Sequence, residues 1–204
     1  MKRALALFLF STVIAATALG VSLGVVLRQG LSARREPAPI EALVARRLRL
    51  AAVPAEARRA SNPVAFSPEA LRAARRHFAD HCALCHGNDG SGDTEIGRGL
   101  YPPSPDLRRE PTQSLSDGEI FYAIHEGIAF TGMPAWGERD PARDLDSWRL
   151  VHFIRHLPRI TADEIAEMEK LNPKGPAERS EEEEARSFLE GRDIAVGQAG
   201  HPHR

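Results

Sequence analysis

The apolar positions of this chain are unevenly distributed, and the longest uninterrupted run lies near the start. Residues 4–27 contain no charged side chain and follow Lys2 and Arg3. A helix of that length is about 36 Å long, enough to cross a hydrocarbon core of about 30 Å. The pattern predicts a single N-terminal transmembrane helix over residues 1–28. The alternative is a cleaved signal peptide, for which Ala16-Thr17-Ala18 offers a cleavage site.

Residues 29–66 have a different pattern, with prolines and arginines in place of the apolar run. Only residues 40–50 have the periodicity of a short helix. The segment is predicted to be a basic connector. Its arginines could lie against anionic lipid headgroups or form a solvated linker face, and the sequence favours neither.

A helical pattern begins at Ser67, which is suited to cap a helix that has Pro68 at its first position. Apolar residues then recur at helical spacing, at Leu71, Ala74 and Phe78. The spacing predicts a helix that runs into the region of Cys82.

Three more helices are predicted farther along. Ser116 and Thr161 each open a capping box, and the helix after Ser116 ends near Gly127. The third helix, between these two, covers about residues 145–157 and is stopped by Pro158, with inward-facing positions at Trp148, Val151, Ile154 and Leu157. No alternating apolar pattern indicates strands, so residues 67–171 are predicted to form an all-α domain.

The last segment, residues 172–204, is polar and contains four consecutive glutamates. Such a composition is typical of disorder, and we predict a largely disordered tail.

Composition excludes one broad class of function. The 204-residue chain has a net charge of −1, so no bulk positive charge favours nucleic acid. The predicted domain also has long loops rich in glycine and proline between its helices. Long loops are uncommon inside a compact domain unless something buried holds them in place, and a large buried cofactor would do so.

The only two cysteines of the chain lie in the motif Cys-x-x-Cys-His, formed by Cys82, Cys85 and His86. This is the signature of covalent c-type haem attachment. Two thiols one helical turn apart can each bond to a vinyl group of one porphyrin edge, and the following imidazole can reach the iron. A redox disulfide would need a βαβ context, and zinc would need further ligands, for which His77 and His81 have no standard spacing.

A haem iron has a second axial position, for which Met133 is the predicted ligand. Met133 lies in a Gly/Pro loop that can bend over the face opposite His86. Met168 falls on a periodic apolar face, and His152 and His156 flank a packing helix, so these three are expected to be structural. His/Met ligation raises the reduction potential and leaves no open position, which favours electron transfer over catalysis.

Four stretches, FADHCALCHGNDGSG, GLYPPSPDL, TGMPAWG and WRLVHFIRHLP, together resemble a monohaem class I cytochrome c of the bacterial membrane-anchored type. The resemblance covers about residues 67–157. It implies a cytochrome c fold wrapped round one covalently attached haem c, with the first and last helices crossing. It also implies that Phe78 packs on an aromatic residue of the last helix, for which Phe153 beside Leu150 is suited. Ala74 occupies the crossing, where the family more usually has glycine.

Three further residues, Arg98, Tyr101 and Trp136, lie in the loops that should border the haem. Each could hydrogen-bond a propionate or a ligand, and packing within the loop is an equal alternative.

The expected function is that of a membrane-tethered electron carrier rather than an enzyme. It would accept single electrons from protein donors and pass them to protein acceptors, with no small-molecule substrate. Covalent haem attachment of this kind occurs outside the bacterial cytoplasm, which predicts a single-pass inner-membrane protein with its haem domain in the periplasm, or a soluble periplasmic protein after signal cleavage. The alternatives are a haem subunit of a dehydrogenase or oxidase complex, and a haem sensor or catalyst with a displaceable methionine.

Overall fold

The computed structural model of the chain describes residues 2–29, 32–33 and 35–190. In this part of the chain all regular structure is helical, which confirms the predicted all-α class. The helices are α1 (Lys2–Gln29), α2 (Pro39–Ala52), α3 (Ala55–Arg59), α4 (Pro68–His77), α5 (Ala83–His86), α6 (Glu95–Gly99), α7 (Glu110–Gln113), α8 (Asp117–Glu126), α9 (Leu145–His156), α10 (Ala162–Glu169) and α11 (Pro176–Leu189). A π-helical turn (Phe78–Cys82) joins α4 to α5, and a 3₁₀ turn (Leu157–Arg159) follows α9.

Helix starts follow the capping residues that the sequence contains. The Ser67 hydroxyl accepts a hydrogen bond from the backbone N–H of Ala70 at 3.0 Å, at the start of α4. Both predicted capping boxes form, at Ser116 for α8 and at Thr161 for α10. In each box the capping hydroxyl and the glutamate carboxylate accept hydrogen bonds from two backbone N–H groups that would otherwise have no partner within the helix.

The core lies where α4 and α8 pack on α9. Phe78 and Phe153 are almost completely buried, and their ring centroids are 4.9 Å apart. Ala74 is also buried. The predicted aromatic pair is therefore confirmed, with the small residue on the buried face of α4.

The end of the predicted connector packs on the core domain. The side-chain amide of Asn62 donates to the carbonyl of Trp148 at 2.9 Å, and the Ser116 hydroxyl donates to the carbonyl of Arg58 at 2.9 Å. A Cβ at Gly118 would lie 1.8 Å from the carbonyl oxygen of Ala57, so α3 approaches α8 more closely than any side chain would permit. Residues 55–66 therefore belong structurally to the domain that was predicted to begin at residue 67.

Helix α1 coincides with the N-terminal apolar run, and its side chains, such as Leu9, Phe10 and Ile14, are exposed. Across the described residues, none of the helices combines the length and apolar character needed to cross a membrane. The transmembrane helix predicted over residues 1–28 is thus not confirmed.

The polar C-terminal segment differs from its prediction. Residues 176–189 form α11, whereas the composition indicated disorder. Glutamate, alanine, arginine and leucine are good helix formers, so polarity alone does not prevent a helix here. Lys174 also forms an ion pair with Glu182. The remainder of the predicted tail, residues 191–204, lies outside the described residues.

Candidate haem site

Cys82, Cys85 and His86 lie on one continuous helical stretch. The stretch begins as α4, widens into the π-helical turn that ends at Cys82, and closes with α5, which contains Cys85 and His86. Single π turns within helices are often found at functional sites because they redirect the side chains that follow. The sequence predicted a helix into this region but not the local change of pitch.

The two cysteines are not joined to each other in the structure, and both are partly buried. Burial, with a smaller contribution from Cys85, raises the pKa of the Cys82 thiol to about 12. A cysteine that acts as a redox-active or metal-binding thiolate has a lowered pKa instead. In the described residues no group of three or more metal-binding side chains is arranged round an ion.

His86 has the character of a neutral ligand. Burial lowers its pKa, and the backbone carbonyl of Pro105 only partly opposes that shift. Its Nδ1 atom is buried and has no hydrogen-bond partner of good geometry. A metal-bound imidazole uses one ring nitrogen for the metal and donates the N–H of the other to a backbone carbonyl, and the carbonyl of Pro105 is near enough to accept it. The residues present therefore fit a haem bound at this motif.

The loop after His86 is held by backbone contacts. The carbonyl of His86 accepts a hydrogen bond from the N–H of Gly92 at 2.8 Å, and the carbonyl of Gly90 accepts one from Leu107 at 2.8 Å. Gly97 lies so near the motif that a Cβ there would be 2.3 Å from the carbonyl oxygen of Cys85. The Gly-rich sequence is thus required for a tight turn against the cysteines.

A charged cluster fixes the same loop from the other side. Arg108 forms ion pairs with Asp89 at 2.9 Å and Asp106 at 2.8 Å. Asp106 also pairs with Arg109 at 3.1 Å. Hydrogen bonds from Arg108, with a smaller contribution from Arg109, lower the pKa of Asp106 to about 2. The cluster joins the segment after the cysteines to the segment that contains Pro105.

Met133 lies in the loop between α8 and α9 and packs, partly buried, against the hydrophobic core. Its N–H donates to the Thr131 hydroxyl at 3.1 Å, and its carbonyl accepts from the N–H of Ile128 at 3.1 Å. The loop returns to α8 through the N–H of Trp136, which donates to the carbonyl of Ile124 at 3.1 Å. These bonds hold the thioether side chain at the core while the loop backbone stays outside.

The rejected ligand candidates have structural roles. Met168 is completely buried in the core, as predicted. His152 bonds the carbonyl of Val64 at 2.8 Å, and His156 pairs with Glu164 at 2.9 Å. None of these three side chains is directed to the cysteine motif by the partners it has.

The three predicted haem contacts have other partners in the protein. Arg98 forms an ion pair with Asp93, and Tyr101 donates a hydrogen bond to Glu41 of α2. Trp136 is 40% exposed, and its ring meets that of His81 edge-on, with centroids 5.3 Å apart. Contact of these residues with haem stays a prediction.

Sequence reasoning missed the buried pair of His125 and Asp144, whose Nδ1 and Oδ2 atoms are 2.6 Å apart. Asp144 also caps α9, since it accepts a hydrogen bond from the N–H of Ser147 at 3.0 Å. The Asp-x-x-Ser pattern before the helix was the available signal. The pairing itself joins residues 19 apart in the chain.

Comparison with known families identifies the class. Residues 69–154 match the family model described as cytochrome C oxidase, cbb3-type, subunit III. This segment contains α4, the cysteine motif, the Met133 loop and most of α9. The match covers 86 of the 204 residues and supports a class I c-type cytochrome domain in this segment. Its family binds covalently attached c-type haem, for which Cys82 and Cys85 are present, and the domain implies haem-based electron transfer. No curated protein matches the chain.

Proposed function

We propose that the protein transfers single electrons between protein partners through one haem, attached at Cys82 and Cys85 and ligated by His86 and Met133. The observation that carries this proposal is the Cys82-x-x-Cys85-His86 motif inside the segment that matches the cytochrome family, with the His86 imidazole kept neutral by burial. The haem, when bound, supplies a reversible one-electron change at its iron. The protein itself is then an electron carrier and not a catalyst.

The roles of the protein groups follow from their surroundings. His86 is kept neutral by burial, which leaves a nitrogen lone pair for the iron. The ring centroid of the buried Phe78 lies 6.5 Å from that of His86, so an apolar ring borders the imidazole on one side. Met133 would supply a thioether as the second ligand beside His86, and this ligand pair would raise the reduction potential of the haem.

A redox titration of the haem-loaded protein tests this function. The absorbance should follow a single one-electron curve, and the reduced protein should not bind carbon monoxide. Rapid carbon monoxide binding at neutral pH would instead support the sensor or catalyst, since it requires an open sixth position.

We further propose that the haem domain lies in the periplasm and is tethered through α1. The support is the uncharged run over residues 4–27 and the exposure of its apolar side chains, whose transfer from water into a bilayer is favourable. The test is extraction of cell membranes with carbonate, followed by analysis of the N-terminal peptide. Retention with an intact N-terminus supports the tether. Release with a new N-terminus after residue 18 supports a soluble periplasmic protein.

A second candidate function is that of a haem subunit in an oxidase complex. The description of the matching family favours it, because it names a subunit of such a complex. Purification in mild detergent distinguishes the two. Co-migration of the haem-stained chain with oxidase activity supports the subunit, and migration as a single small protein supports the carrier.

A further inference from the structure

Helix α2, outside the family match, has an apolar face that nothing in the described structure covers. Ile40, Leu43, Val44 and Leu48 recur at helical spacing and are between 48% and 66% exposed. No residue of α2 is buried. Four large apolar side chains on one face are therefore exposed to water, which is unfavourable in free energy, and a partner that covered this face would relieve that exposure.

The charges round this face are mostly positive. Residues 35–59 contain six arginines and three glutamates, so the net charge is positive in a chain that is nearly neutral overall. Partial burial of Arg49, with a smaller contribution from repulsion by Arg46, lowers the pKa of Arg49. Three of the six arginines, Arg46, Arg47 and Arg49, lie on α2 itself, beside only one glutamate, Glu41.

We propose that α2 lies on the surface of an anionic lipid bilayer, with Ile40, Leu43, Val44 and Leu48 inserted between the headgroups. A helix with one apolar face and flanking arginines has the composition of interfacial helices. The position of Arg47 favours a bilayer over a groove on another protein as the partner of this face. At 3.6 residues per turn Arg47 falls between Leu43 and Val44, inside the apolar face.

An arginine in the middle of a dry protein groove would lose its hydration without a partner. At a bilayer surface its aliphatic part can lie among apolar chains while the guanidinium reaches a phosphate. The same arrangement gives Arg46 a phosphate to bind at the edge of the face. The proposal does not require α1 to cross the bilayer.

The contact would also orient the haem domain. On the flank of α2, Glu41 accepts a hydrogen bond from the hydroxyl of Tyr101, which follows the tight turn at Gly97. Arg35 joins both residues, with its Nη2 3.3 Å from the Tyr101 hydroxyl and 3.9 Å from Glu41. Because these contacts link α2 to the loop that contains Tyr101, a bilayer bound to the apolar face of α2 would also fix the orientation of this loop, and of the nearby cysteine motif, relative to the membrane surface.

The test is a depth measurement in vesicles with the full haem-loaded chain. Because haem occupies Cys82 and Cys85, an introduced cysteine is the only free thiol. Val44→Cys carries an environment-sensitive fluorophore on the apolar face, and Ala42→Cys carries it on the opposite face as the matched control. Absence of labelling in the wild-type chain checks that both native thiols are in use, and so keeps failure of haem attachment distinct from failure of this proposal.

In vesicles of phosphatidylcholine and phosphatidylglycerol, the label at residue 44 should shift to the blue and be quenched by lipid-attached quenchers, and the label at 42 should do neither. High salt or replacement of Arg46 and Arg47 by Gln should weaken docking, about fivefold for each arginine. Equal signals at 42 and 44 would overturn the proposal. Shielding of residue 44 without lipid would also overturn it, and would indicate that protein covers the face.

Discussion

His125 Nδ1 lies 2.6 Å from Asp144 Oδ2, and both side chains are buried. This contact joins the end of α8 to the start of α9, and the loop that contains Met133 spans the interval between them. The carbonyl of His125 also accepts a hydrogen bond from the N–H of Gly137, at 3.1 Å, where the loop returns. A Cβ at Gly137 would lie 2.0 Å from the His125 ring, so the loop closes directly on the imidazole.

Loss of the Asp144 carboxylate should therefore destabilise the fold strongly. Asp144→Ala leaves a buried imidazole unpaired and removes the cap of α9, so the free energy of unfolding should fall by about 3 kcal/mol. Chemical denaturation followed by circular dichroism measures this. Asp146→Ala is the matched control, because Asp146 is exposed on the first turn of the same helix and should lose less than about 1 kcal/mol. Equal losses in the two variants would show that the buried pair has no special role.

The same carboxylate should make stability depend on pH. Burial alone would raise the pKa of Asp144, but hydrogen bonds from His125 and Ser147 outweigh it and leave the pKa below its usual value. Stability from this group is thus fully present above the unfolded pKa of about 3.9 and is lost as pH falls through the lower folded pKa.

We expect the difference in unfolding free energy between the wild type and Asp144→Asn to be largest near neutral pH and to shrink below about pH 4. Urea denaturation at several pH values, with Asp146→Asn in parallel, measures the difference. A difference that is constant across this range would contradict the assignment.

Met133→Ala should remove the proposed second iron ligand. Without the thioether, the reduction potential should fall, the weak red absorption band of a methionine-ligated ferric haem should disappear, and the reduced protein should bind carbon monoxide. Met168→Leu is the control, because Met168 lies in the core and its replacement should leave the spectrum unchanged. An unchanged spectrum in Met133→Ala would assign the ligand role to another side chain.

Local sequence patterns were sufficient for the four longer helices of the domain, α4, α8, α9 and α10, but not for the short helices α6 and α7, which lie in a segment predicted to be a loop. Ser67, Ser116 and Thr161 mark helix starts because a capping side chain acts within its own helix. The packing of Phe78 on Phe153 was also predictable, but from the family resemblance and not from periodicity. Periodicity only identifies the inward face of each helix, without its partner.

Features that depend on distant contacts could not be predicted. The His125–Asp144 pair joins two helices across a 19-residue separation that no local pattern encodes, and the sequence has no signal for the π-helical turn before Cys82. The attachment of residues 55–66 to α8 depends on Gly118, which has no side chain to form a pattern. Helix α11 was missed for a different reason, because a polar composition was taken to indicate disorder despite its helix-forming residues.

The central claim is that one haem is covalently bound at Cys82 and Cys85. The most direct test is mass spectrometry of the denatured native protein after proteolysis, on the peptide that contains both cysteines. The account predicts that this peptide carries the added mass of one haem, and that replacement of both cysteines by alanine abolishes the addition. A wild-type peptide with the mass of the bare polypeptide, and two free thiols, would contradict it.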